Sequence, residues 1–163
     1  AIQYARKMGF RVVAVGRGGD IADDALGLGA HIYIDSNVED AVARLQSLGG
    51  AKAIVTTIGN AQAVSSLLSA LAPHGQLVLL GAGKDPLSIT AGQLVVGERS
   101  ILGSITGTPF ENERALDFSV LADIRPRIET MPLERAAEAV ARMRSGQVKF
   151  RMVLSMKRGT AQA

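Results

Sequence analysis

Cysteine and tryptophan are absent from the 163 residues of this sequence, and histidine occurs only at His31 and His74. Without cysteine the sequence has no disulfide bond, no thiolate zinc ligand and no cysteine nucleophile. Two histidines leave it poorly equipped for zinc binding or for triad chemistry. Aromatic residues make up only 4% of the sequence, so few side chains are available for stacking on nucleic-acid bases.

The sequence also lacks a strong charge bias and long apolar runs. Basic residues exceed acidic residues by only 18 to 15, and the excess is scattered, unlike the basic stripe of a nucleic-acid-binding protein. No apolar run reaches the roughly 18 residues of a membrane helix, and no signal peptide is visible in the charged opening AIQYARKMGF. We therefore expect a cytoplasmic protein with neither nucleic-acid nor membrane partners.

Glycine, in contrast, is abundant, with 18 residues or about 11% of the chain, against roughly 7% in average proteins. Short aliphatic runs alternate with helical patterns, which predicts a doubly wound α/β fold with a parallel sheet. Strands are predicted at 10–16, 31–35, 52–59, 75–83, 99–107 and 150–156. We expect Asp20 to cap the second helix, Ser36 or Asn37 to begin the third, and Pro73 to stop a helix over 61–72.

Small, polar and glycine-rich residues follow the predicted strands. In an open α/β sheet, ligands bind beyond the carboxyl ends of the strands, and glycine allows a close approach of the backbone to a ligand. Any one of these loops is equally well explained as a tight turn. Several such loops at one edge favour a nucleotide site. The loops are 16–19, 35–36, 56–60, 81–83 and 103–107.

The glycine-rich fingerprint G-x-G-x-x-G is absent. The segments AIQYARKMGFRVVAVGRGGD and LGLGAHIYIDS nevertheless resemble the cofactor-binding domain of the medium-chain dehydrogenase/reductases, with the zinc-containing alcohol dehydrogenases as the nearest subgroup. The later segments TTIGN, GQLVLLGAG, ERSILGSITG and SGQVKFR, with the final MVL strand, follow in the family's order. The resemblance covers residues 1–157.

The resemblance implies an incomplete Rossmann-like, cofactor-binding domain at 1–157, followed by a tail at 158–163. In the family, a first strand and the fingerprint precede the AIQYA-type helix, so both are expected upstream of Ala1, together with a zinc-holding catalytic domain. The missing strand would lie between the strands predicted at 10–16 and 52–59. Each of those strands would then have an unpaired edge, and the chain alone should neither catalyse nor bind the cofactor tightly.

The resemblance further implies hydride transfer between an alcohol and an aldehyde or ketone, with NAD or NADP as cofactor. NAD-dependent relatives place an aspartate at the end of the strand that here ends in Gly16 and Arg17. Loss of that carboxylate and gain of a guanidinium favour NADP. The alternative is that Arg17 is a solvated residue that stacks on adenine, with NAD still accepted.

Eleven residues correspond to cofactor-binding positions of the family. Thr57, Ile58 and Asn60 correspond to positions that contact the adenine half, and Leu80, Gly81 and Ala82 to the turn that passes the nicotinamide. Ser104 and Thr106 correspond to positions that bond the carboxamide, and Arg151 to a basic residue that reaches the phosphates. Gly16 and Arg17 correspond to the position that selects the cofactor. No catalytic residue and no metal ligand is assigned within the chain. Zinc is expected only in the catalytic domain outside it.

Two other functions remain open at this point. A zinc-free quinone or enoyl reductase of the same superfamily would contain the same domain, and a non-catalytic nucleotide-binding module would bind without turnover. The strand predicted at 99–107 is aliphatic and has few protecting charges. In the family such an edge pairs with a second copy, so we expect a homo-oligomer. The alternative is that another part of the same polypeptide covers this edge.

Overall fold

The computed structural model describes residues 1–156, and strands and helices alternate along them. The strands are β1 (Val13–Gly16), β2 (Ile32–Asp35), β3 (Ala51–Thr56), β4 (Leu71–Leu79), β5 (Ser100–Gly103), β6 (Ile128–Pro132) and β7 (Arg151–Ser155). The helices are α1 (Ile2–Lys7), α2 (Ala22–Gly27), α3 (Ala41–Ser47), α4 (Ala61–Leu67), α5 (Ala91–Val95), α6 (Pro109–Leu121) and α7 (Ala136–Arg144). The predicted tail at 158–163 and residue 157 lie outside the described residues.

Two compact units make up the chain, Ala1–Ala115 and the segment from Leu116 onward. In the first, β1 pairs with β2, and β3, β4 and β5 pair in that order. Every pairing is parallel, which confirms the predicted parallel α/β architecture. In residues 1–156, β1 and β3 do not pair with each other. This is the interruption that the strand order predicted.

Three clusters of aliphatic side chains hold the first unit together, and the smallest of them centres on Val12, Ala25 and Ala30. Two of the clusters involve the three-stranded sheet. Leu68 and Leu77 are fully buried and pack with Val64 and Leu71 between α4 and β4. The other cluster centres on Ile34, which is also fully buried, and receives Val13 from β1 and Ile54 from β3. Because strands of both sheets contribute to this cluster, the two sheets share a core despite the interruption.

Two predicted helix starts are wrong. The second helix is preceded by a single 3-10 turn at Gly19–Ile21, and no side chain caps it, so Asp20 is not its cap. The third begins at Ala41, because Asp40 accepts hydrogen bonds from the backbone N–H groups of Val42 and Ala43. The chain from Ser36 to Glu39 is therefore a turn and bend that precedes the helix.

Pro73 does not end a helix. Helix α4 ends at Leu67, a 3-10 turn follows at Leu68–Ala70, and Pro73 lies within β4. The ladder pairs Ala51 with Leu71 and then Ala53 with Gln76, so β4 has extra residues between these two pairs. A proline is tolerated in such a bulge because no ladder hydrogen bond is required of it there.

Three predicted strands extend beyond the observed carboxyl ends. Strand β3 ends at Thr56 instead of 59, β4 at Leu79 instead of 83, and β5 at Gly103 instead of 107. Thr56 is paired with Leu79 of β4, and Leu79 with Gly103 of β5. Since all three strands stop at this level, the residues beyond them have no partner strand and form loops.

The second unit contains its own strand–helix–strand motif. Strands β6 and β7 are parallel, and α7 connects them. The Arg142 guanidinium lies 2.9 Å from the Glu129 carboxylate, and the same carboxylate accepts a hydrogen bond of 2.7 Å from the Lys149 backbone N–H. Glu129 thus ties β6 to the helix and to the turn before β7. Across residues 1–156, no helix is long and apolar enough to cross a membrane.

Candidate functional site

Within each of the two sheets of the first unit, the strands end level with one another at their carboxyl ends. Gly16 pairs with Asp35, while Thr56, Leu79 and Gly103 form a row across β3, β4 and β5. The next residue of the chain extends each ladder: Leu80 N–H donates to Thr56 O and Ser104 N–H to Leu79 O, both at 2.9 Å. The loops that follow therefore leave the sheet from one edge, as a ligand site of an α/β sheet requires.

The loops after β3 and β4 are in direct backbone contact. A Cβ atom on Gly81 would lie 2.5 Å from the carbonyl oxygen of Thr57 and 2.6 Å from that of Ile58, and one on Gly83 would collide with Gly59 O. Both glycines are therefore required by loop packing. A groove of about 180 Å³ lies beside this contact, lined on one side by Ile58 and on the other by Ala82.

A second, wider groove, of about 390 Å³, begins at the first turn of α4. It is lined by Asn60, whose side-chain oxygen accepts a hydrogen bond of 2.8 Å from Ala63 N–H and caps the helix. On the same wall, Ser65 Oγ accepts from Ser88 N–H at 3.0 Å. Asp85 borders both grooves, so the two are neighbouring parts of one surface.

The loop after β1 is held by residues of β2 and the turn behind it. Gly18 donates its N–H to Asp35 Oδ1 at 2.8 Å, and its carbonyl accepts the Tyr33 hydroxyl at 2.7 Å. The carbonyl of Gly16 accepts from both the N–H and the hydroxyl of Ser36, each at 2.9 Å. Four hydrogen bonds from residues 33–36 thus fix the backbone on both sides of Arg17.

Arg17 itself is exposed. Within residues 1–156, no carboxylate lies within ion-pair distance of its guanidinium and no hydrogen bond engages it. The guanidinium is therefore available to an anionic ligand at this edge of the sheet. A carboxylate is also present at the loop, because Asp20 Oδ1 lies next to Gly18, 2.7 Å from where a Cβ would be.

The phenol of Tyr33 stays protonated over a wide pH range. Its partial burial raises its pKa above the ordinary value of 10.0, and the negative charges of Asp35 and Asp20 raise it further. The hydroxyl is therefore a donor to Gly18 O at neutral pH. This supports a fixed loop conformation.

The predicted site residues lie in three places. Gly16 and Arg17 lie at the end of β1 in the two-stranded sheet. Most of the others follow β3, β4 and β5 at the edge of the three-stranded sheet, and nearly all of them are exposed. Arg151 is the first residue of β7 in the second unit and is exposed. The residues at the edge of the three-stranded sheet are Thr57, Ile58, Asn60, Leu80, Gly81, Ala82, Ser104 and Thr106.

Tyr33 was missed by the sequence analysis, and Asp35 was included only as part of the loop at 35–36. Alternation along β2 places both on one face, and the register puts them opposite Ala14 and Gly16. A bulky aromatic residue beside two small residues of the neighbouring strand is the pattern that would have identified them. His31 has a structural role, because its Nδ1 accepts a hydrogen bond of 2.9 Å from Val12 N–H.

No group of three or more histidine, cysteine, aspartate or glutamate side chains within residues 1–156 could hold a metal ion. The described residues therefore do not fit a zinc ion, and no chemical step is assigned to one here. They fit a dinucleotide better. Such a ligand needs an open surface at the strand ends and a cation for its phosphates. The grooves beside the aligned strand ends and the available guanidinium of Arg17 provide these.

The family model for zinc-binding dehydrogenases matches residues 1–120. The chain belongs to this family. It is 40% identical over 156 residues to the alcohol dehydrogenase patD of Penicillium expansum, covering 96% of this chain and 46% of that protein. An alcohol dehydrogenase of Geobacillus stearothermophilus is 36% identical over 162 residues, covering 96% and 47% of the two chains. The chain thus spans about half the length of the curated relatives it matches.

Solved structures support the same fold. A cinnamyl alcohol dehydrogenase from Sorghum bicolor superposes with a TM-score of 0.81 at 25% identity, over 97% of this chain and 46% of that one. The sequence-based recognition of the family and of a Rossmann-type α/β fold is therefore confirmed.

Proposed function

We propose that the full-length protein is an oxidoreductase that transfers hydride between an alcohol and an aldehyde or ketone, and that residues 1–157 form its dinucleotide-binding domain. The observation that carries this proposal is the row of level strand ends, Thr56, Leu79 and Gly103, from which the loops leave at one edge. The family and its alcohol dehydrogenase relatives favour this reaction over a zinc-free reductase or a non-catalytic module.

The nicotinamide cofactor, when bound, supplies or accepts the hydride at its C4 position. The residues of this chain bind and orient it. In the proposal, Thr57, Ile58 and Asn60 border the adenine half, while Leu80, Gly81 and Ala82 form the turn beside the nicotinamide. Backbone groups of Ser104 and Thr106 bond the carboxamide, and Arg151 reaches the phosphates.

We propose that the cofactor is NADP in preference to NAD. Support comes from Arg17, whose exposed guanidinium has neither an ion pair nor a hydrogen bond in the described part of the chain, and from glycine at the preceding position. A guanidinium can bind a 2′-phosphate through two parallel hydrogen bonds. The carboxylate of Asp20 beside Gly18 supports the opposite preference, because a carboxylate accepts hydrogen bonds from free ribose hydroxyls.

Replacement of Arg17 by alanine in the full-length protein tests this proposal. We expect the KM for NADPH to rise about 10-fold to 100-fold, because a hydrogen-bonded charge pair contributes roughly 1.5–3 kcal/mol. The KM for NADH should change little. Arg11→Ala is the matched control, since Arg11 is exposed and precedes β1 at the opposite end from Arg17. A wild-type protein that uses NADH as well as NADPH would contradict the NADP preference.

Three further parts of the proposal concern the rest of the protein. Zinc is expected to be bound by residues outside this chain and to polarise the substrate oxygen there. A homo-oligomer is expected through the strand predicted at 99–107. Its support is that β5 pairs only with β4 in the described structure, which leaves its second edge free, and that Leu102 is 46% exposed. A cytoplasmic location remains a prediction from the sequence.

A further inference from the structure

Tyr33 fills the space in which a side chain at position 16 would lie. A Cβ atom on Gly16 would be 2.5 Å from the Tyr33 hydroxyl oxygen, 3.1 Å from its Cε2 and 2.7 Å from Ile21 Cδ1. The end of an isoleucine side chain can rotate away. The tyrosine cannot move without breaking its hydrogen bond to Gly18 O. The identity of residue 33 therefore limits what residue 16 can be.

The same tyrosine fixes the backbone that carries Arg17. Gly18 has a φ of 88°, a conformation that side-chain-bearing residues rarely adopt. Its carbonyl is held by Tyr33 and its N–H by Asp35. The peptide groups next to Arg17 therefore have little freedom, which lowers the entropy lost when its guanidinium binds an anion.

We propose that Tyr33 is a specificity-determining positioning residue of the dinucleotide site, which excludes a carboxylate from position 16 and holds the loop that presents Arg17 to a 2′-phosphate. This inference rests on the proposed NADP preference. It adds that Tyr33 limits which residue can stand at position 16 and holds the backbone of Gly18 in place. Tyr33 touches the loop, and it acts on the ligand only through Arg17.

The test measures binding of two small probes, adenosine 2′,5′-bisphosphate and 5′-AMP, by isothermal titration of the full-length protein. The probes differ only in the 2′-phosphate, so the ratio of their Kd values reports the contribution of the phosphate alone. We expect Tyr33→Phe to lower the preference for the bisphosphate about fivefold, the effect of losing one ordinary hydrogen bond. A merely structural role would weaken both probes alike and leave the ratio unchanged.

Tyr4→Phe is the matched control. Tyr4 is the other tyrosine of the sequence, and its hydroxyl likewise donates to a backbone carbonyl, that of Ala115, at 3.1 Å. Its removal should leave the ratio unchanged. If Arg17→Ala lowers the ratio and Tyr33→Phe does not, the role of Tyr33 is refuted while the NADP preference stands. If the wild type does not discriminate between the probes, the NADP preference fails, and this inference fails with it.

A second pair of variants tests the exclusion of a carboxylate. Gly16→Asp alone should weaken the binding of 5′-AMP, because the new side chain collides with Tyr33. Addition of Tyr33→Val should restore space for the carboxylate and improve the binding of 5′-AMP at least tenfold over the single variant. Equal affinities of the single and double variants would overturn the proposed exclusion.

Discussion

Gly81→Ala should separate the loops that follow β3 and β4. The added Cβ would lie 2.5 Å from Thr57 O and 2.6 Å from Ile58 O, whereas an ordinary contact to carbon is about 3.5 Å. The two loops would have to move apart by roughly 1 Å. Both obstacles are backbone atoms, so rotation of a side chain cannot relieve the collision.

We expect this collision to lower the free energy of unfolding by about 1–3 kcal/mol, the usual cost of overpacking. An opposing contribution comes from the unfolded chain, because replacement of glycine by alanine reduces its entropy and stabilises the fold by roughly 0.4–1 kcal/mol. The observed loss is the difference between these two effects.

Gly103→Ala is the control that isolates the collision. Gly103 ends the neighbouring strand, and a Cβ built there meets no atom within 4 Å. Both variants share the entropy effect, so the difference between their free energies of unfolding, measured by urea denaturation, gives the cost of the contact. If Gly81→Ala proves as stable as Gly103→Ala, the reasoning that glycine is required by loop packing is refuted.

Two other predictions concern the core and the phenol. Leu77→Ala should lower the free energy of unfolding by about 2–5 kcal/mol, because Leu77 is fully buried. Leu102→Ala on the adjacent strand should lower it by less than half as much, because Leu102 is 46% exposed. Equal losses of the two variants in urea denaturation would contradict the assigned core. Because the pKa of Tyr33 is raised in the folded state, its contribution to stability should be constant below about pH 10 and lost as the pH rises further. The difference in phenolate absorbance between wild type and Tyr33→Phe should titrate with a midpoint above pH 10.0. A midpoint at or below that pH would refute the raised pKa.

The order and direction of the strands in the first unit could be predicted because buried parallel strands have short aliphatic runs, and because each run ends in small or polar residues. Strand β2, for example, was predicted at 31–35 and is observed at Ile32–Asp35. The interruption between β1 and β3 was also predicted, from the family resemblance together with the strand order that it implies. It is observed in the described residues.

The boundaries could not be predicted where neighbouring elements decide them. The local chemistry of Pro73 predicts a helix stop, but a bulge opposite β3 accommodates it within β4. Strand β5 ends at Gly103 because β4 ends beside it. The sequence of residues 104–107 does not indicate this strand end. The hydrogen bond of Tyr33 joins it to Gly18, which lies 15 residues earlier in the sequence. The sequence pattern around Tyr33 therefore could not show this contact.

The closeness of Tyr33 to Gly16 also constrains how the protein can evolve. While Tyr33 remains, a carboxylate introduced at position 16 would meet an occupied space. Under the proposed NADP preference, a lineage that changed its cofactor would have to replace Tyr33 first and tolerate an unanchored Gly18 in the interval. One aromatic ring would then impose the order of substitutions, and the proposed preference should be resistant to drift by single mutations.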